Sequence, residues 1–462
     1  MKTLADPTNA LAAGLAAIRA QFQVPAAFPD AVLAAADAAA RRAPDRHVDR
    51  TALPFVTLDP ATSTDLDQAF TIERSGVDLL LRYAIADTSW FVDDGDAIDA
   101  EAWRRGTTFY LPDDKAGLYP PVLSEDTASL LPTGRRPAVI FSVRVAADGA
   151  VRLDGAERAI IRSVAKLAYD RVTEAELPDG FAELAGRIKA AEARRGAARV
   201  DPPEQEVAAT KDGGFALHFR ARLDSEDRNA ALSLATNMAV ADALQAHHTG
   251  LFRVMAGPDA HAVSRLRHTA RAFGLTWPDG VTLADFERGL DGADAAQAAV
   301  MLAIRRAGKG ASYVPWREGV TPWHEAMAAT YAHATAPLRR LADRYVVRAA
   351  LAIANGQAVP HAVTDAFGRL PAVMARADTK GGQIERAVID LAEAVMLQDE
   401  VGREFAAVVT DVDERGARIQ LRDLPVVARV VAEGVRPGDA VGVRLVSVAV
   451  GERRIGFERV KG

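Results

Sequence analysis

Hydrophobic positions follow two different periods along the 462-residue chain, and the switches between them divide it. In the first fifty residues apolar side chains recur at helical spacing, Leu11, Leu15 and Ile18 and then, after Pro29-Asp30, Val32 and Leu33. That spacing predicts two or three short helices, either a small helix-turn-helix-like unit or a packing element. From Pro54 the runs become β-rich, at 55–58, 79–85 and 139–145, the last entering a turn at Asp148-Gly149. Long helical patterns follow over 230–248, 260–273, 295–306, 336–355 and 384–398, whereas 194–206, with Asp201-Pro202-Pro203, reads as an exposed loop. After Gly402 short β-rich runs return at 405–412, 417–421, 426–431, 440–448 and 454–459, with turn signals at Glu414-Arg415-Gly416 and Pro437-Gly438-Asp439. Five such strands suggest an OB-type barrel. Strands first and helices later make the fold class α+β, with a helical region over 1–50, a mixed sheet-and-helix domain over 51–400 and an all-β barrel over 401–462.

Charge narrows the partners. With 56 Lys plus Arg against 62 Asp plus Glu the formal net charge is −6, so any polyanion must meet local basic patches. Cysteine is absent, which excludes thiolate metal sites and cysteine nucleophiles and leaves oxygen or imidazole for metal chemistry. No apolar run reaches the roughly 18 residues of a membrane-spanning helix. The stretch 10–18 is preceded by Asp6-Pro7 and closed by Arg19, so a cytoplasmic protein without membrane partners is expected.

Two stretches carry candidate chemistry. In the first, Asp59, Asp65 and Asp67 lie within nine residues at the end of a predicted strand, and Asp65 and Asp67 share a face if extended. Hard divalent cations take carboxylate oxygens, so converging aspartates fit a catalytic metal site, while Asp59-Pro60 and Thr62-Ser63-Thr64 equally fit a turn that bonds its own backbone. In the second, Pro337 at a helix start is followed by Arg340, Arg344 and Arg348 every four residues, either a guanidinium stripe for an RNA backbone or a solvated face with an Arg339–Asp343 ion pair. His247-His248, His324 and His333 show no zinc spacing, and Ser63, Ser89 and Ser124 lack a nucleophile elbow.

Further blocks make the pattern specific: Ala84-Ile85-Ala86-Asp87-Thr88-Ser89, Asp99-Ala100-Glu101-Ala102, Arg105 through Pro112, Leu123-Ser124 before Ser129-Leu130, Ala165 through Asp170, and Thr335 through Arg340. Read in order from about Pro54 to Gly462, the chain resembles the ribonuclease II / ribonuclease R family of 3′→5′ exoribonucleases. The resemblance implies an RNB-type catalytic domain, an S1-like RNA-binding OB barrel, and processive Mg²⁺-dependent hydrolysis of single-stranded RNA to nucleoside 5′-monophosphates by a monomer. Mn²⁺ is the alternative ion. It assigns Asp59, Asp65 and Asp67 to metal binding, with Asp67, Asp65 and Arg339 catalytic, Tyr169 stacking on a base near the 3′ end, and Glu385 at the terminal nucleotide.

Three departures stand out. Gln68 occupies the place of a fourth aspartate; its amide oxygen could ligate Mg²⁺ without bringing charge, which raises the alternative of a catalytically weakened RNA-binding or regulatory relative. The helical residues 1–50 are too few for the cold-shock barrels typical of bacterial members, and imply a more open RNA entrance. The 230–239 block lacks the family's acidic residues and receives no catalytic role. In the barrel, aromatics are few, essentially Phe405 and Phe457, so binding there is expected to rest on Arg415, Arg418, Arg422, Arg429, Arg444 and Arg453 and to be salt-sensitive.

Overall fold

The structure, a computed structural model, describes all residues except 1, 4–8, 198–203, 211–213, 221, 293, 309, 414–415 and 461–462. At its centre the strand Phe55–Asp59 is buried along Phe55–Leu58, as a strand covered on both faces must be. It lies in a seven-stranded sheet ordered Ser163–Ala168, Phe55–Asp59, Gln68–Ser75, Asp78–Ala86, Arg136–Val145, Val151–Ile161 and Val48–Asp49. The pairings at the two ends are parallel and those between are antiparallel. The three expected β runs all fall in this sheet. Val151–Ile161 was illegible because polar residues such as Asp154, Glu157 and Arg158 interrupt it and only its end is buried.

Helices Asp224–Ala246 and Leu341–Ala354 cover the sheet, sharing Leu232, Ala235, Val240, Tyr345 and Val346 with one large core. The second starts later than the pattern implied, because Ala336 N–H donates to Asp343 (2.8 Å) and Leu338 N–H to Asp67 (2.7 Å). Residues 336–340 therefore form a turn tied to side chains, and Pro337 is not a first helical residue. The run at 384–398 is the end of a 37-residue helix, His361–Leu397, reaching from the sheet-and-helix domain to the barrel. Residues 194–206 are not simply a loop: helix Phe181–Arg195 ends there and strand Glu204–Ala209 pairs antiparallel with Phe215–Arg220, while Asp201-Pro202-Pro203 lies outside the described residues.

The N-terminal helices Ala10–Gln21 and Asp30–Ala40 do not form a free-standing unit. Leu11, Leu15 and Ile18 pack with Ile384, Val388 and Leu391 of the long helix, whereas Val32, Ala36 and Ala39 join the sheet core. Packing is so close that a Cβ on Gly14 would lie 2.5 Å from Leu391 Cδ1.

The strands Glu404–Asp413, Gly416–Leu421, Val427–Val431, Ala440–Ala449 and Arg454–Arg459 close into a barrel. Alternate residues Ala407, Val409, Ile419, Val443 and Leu445 fill it. Phe405 and Phe457 belong to this interior, edge to face at 6.0 Å, so they are not exposed stacking platforms. The barrel is tied to the rest by Glu393 of the long helix, which accepts from Val427 N (2.8 Å) and Gln205 Nε2 (2.7 Å). Among the described residues no helix is long and apolar enough to cross a membrane.

Candidate active site

The loop between Asp59 and Gln68 is shaped by bonds from distant segments. Lys166 Nζ donates to the carbonyls of Ala61 (3.0 Å) and Ser63 (2.5 Å). Ser129 Oγ donates to Thr64 O (2.7 Å) and accepts from Leu66 N (2.9 Å), and Leu130 N–H reaches Leu66 O (3.0 Å). Satisfying these buried polar groups fixes the loop more firmly than local turns would. The Ser129-Leu130 and Lys166 blocks thus hold the aspartates in place.

Asp67, at the loop's end, is 3% exposed and its Oδ1 is held by the Leu338 amide. Its Oδ2 lies 3.5 Å from Arg339 Nε. Burial pushes its carboxyl up to about 7, against the opposing pull of Arg339. Asp59 is pushed up to about 6 by burial, again opposed by Arg339, and its Oδ2 is buried without a hydrogen-bond partner. Asp65 is held by Tyr110 OH (2.8 Å) and Lys115 Nζ (2.9 Å). The charges of Asp59, Asp65, Asp67 and Arg339 act on one another, so the predicted catalytic residues share one site.

Arg339 lies deep among protein atoms yet its side chain is 45% accessible, and Tyr110 is 52% exposed, so the site opens to solvent on this side. The backbone of Arg339 is clamped: its carbonyl accepts from Thr107 Oγ1 (2.7 Å) and Thr108 N (3.0 Å). Tyr169 follows Ala168, the parallel partner of Asp59, and its amide donates to Asp59 O (3.2 Å). Asn229, just before the 230–239 block, donates from its Nδ2 to the Tyr169 hydroxyl (2.8 Å).

The arginine stripe requires correction. Arg340 makes a two-pronged pair with Asp343 (2.9 and 2.7 Å), Arg348 pairs with Asp94 (2.7 Å), and Arg344 is fully buried against Asp99 and Tyr345. Arg340 and Arg344 are committed to the buried carboxylates of Asp343 and Asp99 and serve as scaffolding, whereas Arg348 pairs with the exposed Asp94. Asp343 pairs with Arg340, and Arg339 is left for the site. Glu385 lies at the seam between the sheet-and-helix domain and the barrel, on the same side of its helix as Gly381 but a turn further on. Gln68 points its Oε1 at the hydroxyls of Tyr83 and Ser233, the latter at 3.1 Å. Among the barrel arginines, Arg429, Arg444 and Arg453 engage Asp413, Glu404 and Gln21, while Arg415 lies outside the described residues.

Among the described residues no three acidic or histidine side chains are gathered into a ready-made metal cage. Mg²⁺ does not need one, since it commonly takes one or two carboxylates and completes its shell with water and substrate phosphate. The unpartnered Asp59 oxygen and the all-oxygen donor set fit such an ion. Sequence reading missed Tyr110, Lys115 and Lys166 as supports of the aspartates; the first and last stood inside blocks already singled out, but no spacing rule links them to the site.

This fold and site define a class: an RNB-type domain followed by an S1-type barrel. The RNB domain model matches residues 47–355, and the RNase II-type exonuclease C-terminal S1 domain model matches 403–460. The chain belongs to the RNB-domain family. It is 25% identical over 439 residues to ribonuclease R 1 of Lactococcus lactis, covering 88% of this chain and 53% of that protein. It is 29% identical over 407 residues to exoribonuclease 2 of Cronobacter sakazakii, covering 83% and 62%. The chain thus spans little more than half the length of these curated relatives. Mycoplasma genitalium RNase R, solved in complex with ribose methylated single-stranded RNA, shares the fold with a TM-score of 0.86 at 19% identity, covering 98% of this chain and 78% of that one. Yeast Ssd1, a pseudonuclease, is similar at a TM-score of 0.65 and 16% identity, covering 91% and 53%.

Proposed function

We propose that the chain is a hydrolytic 3′→5′ exoribonuclease that shortens single-stranded RNA processively, as a monomer, releasing nucleoside 5′-monophosphates with Mg²⁺ or Mn²⁺. The observation that carries this reading is the meeting of buried Asp67, fixed by the Leu338 amide, with Asp59, Asp65 and solvent-accessible Arg339. Water adds across the last phosphodiester; the bond from phosphorus to the 3′ oxygen breaks, leaving a new 3′ hydroxyl on the RNA and the phosphate on the departing nucleotide.

Asp59, Asp65 and Asp67 are the residues that would hold the divalent cation, which when bound supplies activation of the attacking water and neutralisation of phosphate charge. Arg339 presents a fixed guanidinium to the charge that builds on the scissile phosphate, a role typically worth ~3 kcal/mol. Thr107, Thr108 and the 336–340 turn hold that arginine before substrate arrives. Tyr169, anchored by Asn229, offers a ring to a terminal base, and stacking is indifferent to base identity.

The test is 5′-labelled RNA incubated with Mg²⁺, with EDTA, and with Asp67→Asn protein. A Mg²⁺-dependent ladder of shortening products with mononucleotides released, lost in the variant, is the expected result. Uncut RNA retained on a filter would instead support the silent relative that Gln68 raises. That reading is the weaker one, because the three aspartates and Arg339 stand together.

A further inference from the structure

The three aspartates of the site are not equally free to take a cation. Asp67 Oδ2 stands 3.5 Å from Arg339 Nε, and Asp59 Oδ2 is buried without a hydrogen-bond partner, so both carboxylates keep an oxygen open. Asp65 differs. Its Oδ1 accepts from Lys115 Nζ (2.9 Å) and its Oδ2 from the Tyr110 hydroxyl (2.8 Å), so each oxygen already has a donor. The ion pair is sheltered, with 22% of the lysine side chain and 11% of the aspartate side chain accessible. Lys115 thus places a positive charge on a carboxylate that a divalent cation would also seek.

The element that carries the lysine is built to hold it there. Phe109–Tyr110 pairs antiparallel with Lys115–Ala116 in a small hairpin, with Tyr110 opposite Lys115. Side chains opposite each other across two strands share a face, and here they form a clasp on Asp65 with one neutral and one charged prong. Arg19 of the first helix grips the hairpin's tip by two bonds to Asp113 (2.9 and 2.7 Å), while Thr108, just before the hairpin, donates its amide to Arg339 O (3.0 Å). Lys115 also has other acceptors within reach, since Glu125 Oε1 and Thr64 Oγ1 each lie 3.3 Å from its Nζ. An ammonium on a flexible stem has no fixed fork to satisfy, so it gives up Asp65 without being left unpaired.

We propose that Lys115 is a resident cation of the metal site: it competes with the divalent ion for Asp65 and thereby sets the ion concentration at which the site fills. This rests on the exoribonuclease reading, in which these aspartates hold a divalent cation. Gln68, turned toward Tyr83 and Ser233, adds no charge to offset the lysine.

The test compares wild type with Lys115→Met, Lys115→Gln and Lys115→Arg in two measurements. Mn²⁺ binding to the RNA-free protein is followed by electron paramagnetic resonance, and the Mg²⁺ concentration for half-maximal hydrolysis is read on 5′-labelled RNA. Releasing a hydrogen bond between charged groups corresponds to about tenfold or more in affinity, so the Met and Gln variants should bind Mn²⁺ at least ~tenfold more tightly than wild type. Their Mg²⁺ requirement should fall in step, whereas Lys115→Arg, which keeps the charge, should gain nothing. Most of the gain from Lys115→Met should disappear when Asp65→Asn is present in both chains compared. Mn²⁺ binding no tighter in the Met and Gln variants, with wild type still cutting RNA, overturns the proposal alone. A gain of undiminished size in the Asp65→Asn background assigns the effect to repulsion through space and overturns the competition for Asp65. A wild type that binds no Mn²⁺ and cuts no RNA in Mg²⁺ overturns the exoribonuclease reading as well.

Discussion

Glu393→Gln should stabilise the protein, and by an amount that grows with pH. The carboxylate is 2% exposed on the long helix, and its Oε1 takes hydrogen bonds from Gln205 Nε2 and Val427 N. Burial pushes its pKa from 4.5 up to about 7, with the two donors and Arg386 opposing and Asp390 adding to the rise. Because the folded form binds this proton more tightly than the unfolded chain, the associated stability is full below 4.5 and is lost as pH rises through about 7. Proton linkage between those values makes the cost of ionisation ~1 kcal/mol at pH 5 and ~3 kcal/mol at pH 8. Glutamine keeps the oxygen that both donors use and removes the charge. With an unfolding entropy of roughly 2 cal/mol/K per residue, each kcal/mol moves the midpoint of a chain this long by ~1 °C. Calorimetric melting of the variant should therefore exceed wild type by ~3 °C at pH 8 and by ~1 °C at pH 5. An equal gain at both pH values, or a loss at pH 8, would refute the reasoning.

Other outcomes follow from the site and its scaffold. Asp99→Asn leaves Arg344 charged and buried against a neutral partner and should cost ~3–5 kcal/mol, read by denaturant unfolding; a change near zero would show the pair to be dispensable. Tyr169→Ala should weaken RNA binding in EDTA by ~1–3 kcal/mol, with equal loss for different 3′-terminal bases, and a strongly base-dependent loss would contradict stacking. Gln68→Asp should lower the Mg²⁺ concentration for half-maximal hydrolysis by restoring a fourth carboxylate; an unchanged or higher requirement would mean that the Tyr83 and Ser233 hydroxyls keep this side chain away from the ion.

Local order in the chain was enough for the class of fold. The β-rich runs at 55–58, 79–85 and 139–145 and the five runs after Gly402 alternate or bury apolar residues in ways that only a sheet and a small barrel satisfy. Asp59, Asp65 and Asp67 were visible because three acids in so short a span are costly unless something positive answers them, and Arg339 answers two of them across 270 residues or more. The arginine stripe misled, since spacing of four reports a shared helix face and says nothing of what that face touches. In the folded molecule it meets Asp94 and Asp99 from a segment some 250 residues earlier.

Residue types and their spacing, then, determined on their own the α+β class, the terminal barrel and the position of the acidic cluster, though not its chemistry, because periodicity and charge density are properties of neighbouring positions. Tertiary structure alone decided which arginine faces the aspartates, that Gln68 turns toward two hydroxyls, and that Phe405 and Phe457 are interior. The physical reason is the same in each case: a side chain's charge and hydrogen-bonding state are set by groups within a few ångströms in space, and those groups come from other elements of the chain.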